Sequence, residues 1–250
     1  MNSGHSVLCH SPPTIEHNTG LLVSVKNAPE AKIAAALGIG ILDVKDPNEG
    51  PLGRPSNAVL HEIGTLPLDE RIHRSVALGE LTEFSQCEDP PPDILNKFSY
   101  FKLGMSHLKG IENWPDLWSS QNDRLGNLQP VAVAYGDFHL CEAPKPQEII
   151  RFGSQIGCRY FLLDTFTKVD SQNIFSHADE ATIAMWIDHA RQLEMKIVIS
   201  GSIKAKDLNR CVAMRPDYIG IRGALCNEGR NSTLQKSKLK NLLRQLRQSE

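Results

Sequence analysis

Several lysines and aspartates lie inside or just beyond apolar runs, where a soluble core rarely accepts charge. Asp43 and Lys45 follow Ile41-Leu42, Lys102 sits within Tyr100-Phe101-Lys102-Leu103-Gly104, and Asp164 ends Leu162-Leu163 with Lys168 four residues on. Charges are seldom buried unless paired. Side chains alternate along a strand, so Asp43 and Lys45 share one face, and so do Tyr100 and Lys102. If those faces converge, Lys45, Lys102 and Lys168 meet Asp43 and Asp164. Such a cluster suits Schiff-base chemistry, which needs a neutral amine. An ordinary lysine has a pKa of about 10.4, so at pH 7 only about one in 2,500 is neutral. Desolvation and neighbouring ammonium groups raise that fraction. The aspartates could orient the ammonium groups or move protons. Spacing alone leaves a second reading open, with Lys45 a turn lysine before Asp46-Pro47 and Lys168 a loop lysine.

A second constellation suits an anion. Gly201 and Gly223 allow backbone amides to approach a ligand closely. Ser202 adds a hydroxyl and Arg222 a charged partner. Tight turns alone would also explain the two glycines.

The elements that must position these residues follow a repeated pattern. Short apolar runs fall at Leu21–Val25, Ile41–Val44, Ser75–Leu78, Ser99–Leu103, Val131–Tyr135, Tyr160–Leu163, Ile197–Ser200 and Tyr218–Ile221. Each gap is long enough for the crossover helix that parallel pairing requires. Near-continuous apolar runs fit strands buried on both faces. Helical stretches are expected at Ala28–Leu37, stopping at Gly38, then Ser56–Ile63 after Pro55, Gln147–Gln155, Asp179–Leu193, Lys206–Ala213 and Thr233–Gln248. Trp114 and Trp118, four apart, would pack one further helix on the barrel. The basic last helix reads as an outer barrel helix with a solvated face. Residues 82–93, TEFSQCEDPPPD, read as a Pro-rich loop. Eight strands alternating with helices predict an α/β fold, a single (β/α)8 TIM-type barrel over residues 21–250. An open doubly wound sheet is the alternative. In a barrel the chemistry lies at the C-terminal strand ends, where the charged residues fall, and the loops after strands seven and eight form the usual phosphate cradle.

Composition removes other classes. The chain has 250 residues, 40% of them hydrophobic, with 27 Lys plus Arg against 29 Asp plus Glu. That is too apolar and too near neutral for a disordered chain, and the charge balance gives no pointer to nucleic acid. No apolar run approaches the roughly 20 residues of a membrane span. The six cysteines form no CxxC pair, so neither a zinc site nor a disulfide framework is expected. Residues 1–20 are polar and turn-rich, with His5, His10 and His17, and read as a flexible N-terminal extension. They carry no secretory signature, which points to a cytoplasmic protein. His177 and Asp179 could chelate a metal but more simply start a helix. GxxxxGK[ST], GxSxG and HExxH are all lacking.

The residues also carry a family resemblance. Leu21-Leu22-Val23-Ser24-Val25, Asp43-Val44-Lys45-Asp46-Pro47-Asn48-Glu49-Gly50, Leu52-Gly53, Phe101-Lys102-Leu103-Gly104, Leu163-Asp164-Thr165 with Lys168, Ser200-Gly201-Ser202 and Ile221-Arg222-Gly223-Ala224 resemble the (5-formylfuran-3-yl)methyl phosphate synthase family of methanofuran biosynthesis. The resemblance covers about residues 21–230. It implies a TIM-type barrel lyase that condenses two glyceraldehyde 3-phosphates to 4-(hydroxymethyl)-2-furancarboxaldehyde phosphate, losing phosphate and water. It places the Schiff base on Lys45, a proton acceptor on Lys102, and further roles on Asp43, Asp164 and Lys168. It implies a small-molecule triose phosphate substrate, with no metal, organic cofactor, nucleic acid or membrane, and leaves a homo-oligomer open. The chain departs from the pattern at Pro51, at Glu80, and at Asn227-Glu228-Gly229-Arg230. A different class I aldolase-type barrel, or a non-catalytic phosphate-binding barrel, remains as an alternative.

Overall fold

The computed structural model describes residues 18–126, 128–169 and 171–249. The chain alternates β1 (Gly20–Val25), α1 (Ala28–Ala35), β2 (Ile41–Val44), α2 (Asn57–Gly64) and β3 (His73–Glu80). It continues through α3 (Leu81–Phe84), α4 (Pro92–Leu95), β4 (Tyr100–Gly104), α5 (Trp114–Leu125), β5 (Gln129–Tyr135), α6 (Pro146–Gln155) and β6 (Tyr160–Asp164). It ends with α7 (Ile174–His177), α8 (Glu180–Gln192), β7 (Lys196–Ile199), α9 (Leu208–Ala213), β8 (Tyr218–Ile221) and α10 (Lys236–Ser249). The strands close as β1-β2-β3-β4-β5-β6-β7-β8. Every pair is parallel, including β1 with β8. This is a TIM-type (β/α)8 barrel.

The strand alternation explains both cores. Val23, Leu42, Val76, Phe101, Ala132, Phe161, Ile197 and Ile219 belong to the large cluster between sheet and helices. Their neighbours Leu22, Ile41, Ala77, Val133, Leu162 and Val198 fill the barrel interior. Three tyrosines lie at the N-terminal end of the interior. Tyr100 meets Tyr160 edge-on with centroids 5.0 Å apart, and Tyr160 meets Tyr218 at 6.2 Å. The opposite, C-terminal end carries the polar inward positions.

The helices follow their signals. Asn27 and Ser56 N-cap α1 and α2, and Asp179 N-caps α8 by accepting the Thr182 N–H. Gly38 ends the α1 turn with φ +74°. Trp118 is buried, stacks on Trp114 at 6.4 Å and packs against Phe152 of α6. Leu239, Leu242 and Leu246 bury the apolar stripe of α10. The Pro-rich loop is shorter than expected. Residues 81–84 already coil as α3, and 92–95 coil as α4 because Pro92 suits a first helical turn. The stretch from Lys206 opens as a 3-10 turn over Ala205–Asp207 before α9. His177 ends α7, and no group of three or more metal-ligating side chains gathers among the described residues. Within the expected N-terminal extension, residues 1–17 lie outside the described residues. No described helix is long and apolar enough to cross a membrane.

Candidate active site

Inward parity and strand end together assemble the site. Asp43 is the inward residue near the end of β2 and is 1% exposed. It accepts hydrogen bonds from Ser24 Oγ at 2.9 Å and Ser75 Oγ at 2.7 Å. It also pairs with the Lys102 ammonium group from β4. Burial pushes the Asp43 carboxyl up, but Lys102 and Lys45 beside it outweigh that and hold it below the usual carboxylate range. On the other side, Asp164 ends β6 and accepts from Lys168 Nζ at 2.7 Å and from the Thr165 N–H at 2.8 Å. Burial opposes ionisation there too, yet the charges of Lys168 and Lys45 bring its pKa down to about 2.

Lys45 stands between these two ion pairs. Its Nζ donates to the Pro51 carbonyl at 3.1 Å, and it takes part in none of the ion pairs among the described residues. It is 6% exposed. Burial lowers its pKa to about 7, with Lys168 and Arg230 adding to that while Asp164 and Asp43 oppose it. Burial likewise lowers the Lys168 pKa, against the pull of Asp164. Three lysines and two aspartates thus leave one amine without a paired carboxylate, and that amine is Lys45. A pKa near 7 leaves about half of it neutral at pH 7.

A cavity of about 490 Å³ opens over this amine. Lys45, Lys168, Ser202, Gly223 and Arg230 contribute to its lining. After β7, Gly201 and Ser202 both adopt left-handed backbone, with φ +94° and +56°. A serine in that region is uncommon and marks a strained turn. Gly223 has room around it, since an added Cβ would meet Arg230 Cβ only at 3.9 Å.

Arg222 also lines the cavity, but its guanidinium is committed to the protein. It pairs with buried Glu30 at 2.9 Å and donates to the Ser24, Arg230 and Ser232 carbonyls at 3.0, 2.7 and 3.3 Å. This fixes the loop after β8 onto β1 and α1. Arg230, carried by that loop, was not singled out from the sequence. Its guanidinium donates to the Gly50 carbonyl at 3.1 Å and forms no ion pair among the described residues. Asp137, fully buried, accepts the Phe166 and Thr167 N–H groups at 2.7 and 2.8 Å and so holds the loop that carries Lys168. Asp137 stands two residues beyond the end of β5. Arg230 is harder to find in the sequence, because it lies nine residues beyond the end of β8.

The closed barrel with a lysine–carboxylate cluster at the C-terminal ends of its strands defines a TIM-type barrel protein. Solved structures agree on this fold. Phosphoribosyl anthranilate isomerase from Thermotoga maritima has a TM-score of 0.62 at 12% identity, covering 92% of this chain and 99% of that one. The 3-hexulose-6-phosphate synthase of Salmonella typhimurium has a TM-score of 0.53 at 13% identity, covering 93% of this chain and 100% of that one. Within that fold the sequence is specific: the chain belongs to the 4-HFC-P synthase family, whose sequence profile matches residues 21–243. The (5-formylfuran-3-yl)methyl phosphate synthase of Methanococcus aeolicus is 29% identical over 231 residues, covering 90% of this chain and 98% of the relative. That of Methanocaldococcus jannaschii is 27% identical over 214 residues, covering 84% and 91%.

Proposed function

We propose that this protein is a (5-formylfuran-3-yl)methyl phosphate synthase acting as a Schiff-base lyase on two molecules of glyceraldehyde 3-phosphate. The observation that carries the reading is the buried amine of Lys45, in no ion pair among the described residues, beside two lysine–aspartate pairs. Lys45 attacks a triose carbonyl, and the carbinolamine loses water to give an iminium. Loss of a proton from the adjacent carbon gives an enamine, which adds to the aldehyde carbon of the second triose. Elimination and ring closure then give the furan, and hydrolysis of the imine frees Lys45. The balance over two trioses is one phosphate and two waters.

The paired groups handle the protons. Lys102 with Asp43 lies on the deeper side, and Asp164 with Lys168 on the other, so a proton donor and an acceptor flank the amine. The cavity edge at Ser202 and Gly223 receives a phosphate, with Gly201 shaping the turn that carries Ser202. Its charge is met by Arg230, while Arg222 holds the loop in place. Family membership and the relatives' names support this product. A different class I aldolase would use the same amine, and a phosphate-binding barrel would have no use for it. The test is to supply pure glyceraldehyde 3-phosphate and follow the furan-aldehyde chromophore and free phosphate. One furan per phosphate released supports the reading. An aldol product with both phosphates retained points to another aldolase, and binding without turnover points to a binding protein.

A further inference from the structure

A second, smaller cavity of about 100 Å³ lies at the same end of the barrel. Glu80, Ser106, His107, Pro51, Leu52 and Phe166 contribute to its lining. Its floor depends on a local change of register. Gly79 has φ +91°, and the pairing of β3 with β4 shifts between Ala77 and Glu80. Glu80 is thereby turned toward the barrel, where strict alternation would aim it at the helices. Gly104 opposite leaves the Glu80 carboxylate its place, since a Cβ there would displace it. Glu80 accepts the Tyr135 hydroxyl at 2.7 Å and the Ser106 N–H at 2.8 Å. A carboxylate can accept about four hydrogen bonds, so acceptor capacity is left over. Ser106 is fully buried and its Oγ has no partner in the structure. A buried hydroxyl without a partner is destabilising.

These groups define what fits. An unfilled acceptor beside an unfilled hydroxyl matches a ligand hydroxyl or carbonyl. A phosphate does not fit, because Glu49, Glu80 and Glu83 contribute to the lining and none of the lining residues is a lysine or arginine. The volume is about that of three waters, the size of a short polyol segment. Pro51 stands between the two spaces, since it lines this cavity and its carbonyl accepts from Lys45 Nζ, which lines the other. A condensation of two trioses needs a second place to hold the partner of the one on Lys45. We propose that the Glu80–Ser106 cavity is that place. It binds the aldehyde oxygen and the C2 hydroxyl of the acceptor triose, whose phosphate stays at the cationic mouth. The assignment rests on the two-triose reading above.

Ser106→Ala removes the unpartnered hydroxyl without breaking a hydrogen bond, and Ser106→Val fills the cavity. Three readouts are compared: thermal melting, borohydride trapping of glyceraldehyde 3-phosphate on Lys45, and furan formation. Both variants are expected to trap the first triose as the wild type does. Ser106→Ala raises the KM for furan formation about tenfold, the equivalent of ~1.4 kcal/mol. Ser106→Val loses furan formation while still trapping. Wild-type furan kinetics in folded Ser106→Ala overturns the assignment, as does equal loss of trapping and furan in both variants. A wild-type protein that neither traps nor makes furan overturns the function itself, and this cavity's role with it.

Discussion

Replacing Lys45 by Met removes activity but stabilises the fold. Lys45 is held almost out of water with its pKa lowered from 10.5 to about 7. That displacement corresponds to about 5 kcal/mol by which folding disfavours the ammonium form. Water entering the open mouth screens part of it, so we take about 2 kcal/mol as the expected gain. For a chain of this size each kcal/mol raises Tm by roughly 2–4 °C, giving about 4–8 °C. The sign follows from proton counts. Between pH 7 and 10.5 the unfolded chain binds a proton at Lys45 that the folded chain does not, so wild-type stability rises with pH across that window. Below pH 7 both states bind the proton and the wild type carries the full penalty. The gain of Lys45→Met is therefore largest at and below pH 7 and shrinks as pH climbs toward 10.5. Calorimetric or fluorescence melts of both proteins from pH 6 to 9.5 measure it. An unchanged or lower Tm for Lys45→Met at pH 6, or a gain independent of pH, refutes the argument that this amine is strained toward neutrality.

Other consequences follow from the same geometry. The kcat/KM for furan formation should rise as pH passes up through about 7, following loss of the Lys45 proton; a profile flat between pH 6 and 8 contradicts that assignment. Arg230→Met should raise the KM for triose phosphate about 10–100-fold, the loss of a charge-assisted hydrogen bond, with Tm little changed; an unaltered KM places the phosphate elsewhere. Arg222→Met strands the buried Glu30 carboxylate and should cost about 3–5 kcal/mol of stability in a denaturant titration. A loss below 1 kcal/mol there would show that the pair holds nothing together.

The barrel was legible because strand runs buried on both faces stand out as apolar blocks. Ile41–Val44 and Tyr218–Ile221 coincide with β2 and β8 to the residue. The same alternation put Asp43 and Lys102 on inward faces, where they pair. Features created by register or by loop geometry were not legible. Glu80 points inward because of a bulge at Gly79, which reverses the parity that sequence counting assumes. Arg222 sits at the strand end where a phosphate ligand is expected, yet Glu30, 192 residues earlier, claims it. Nothing local to either residue announces that pairing. Arg230 reaches the mouth only because Arg222 folds its loop back.

The central claim is that Lys45 forms the Schiff base. Incubation with glyceraldehyde 3-phosphate and borohydride, followed by peptide mass mapping, tests it most directly. One reduced triose phosphate adduct is expected, on Lys45, absent in Lys45→Arg. An adduct on Lys102 or Lys168 with Lys45 unmodified, or furan formation by Lys45→Arg at the wild-type rate, contradicts it.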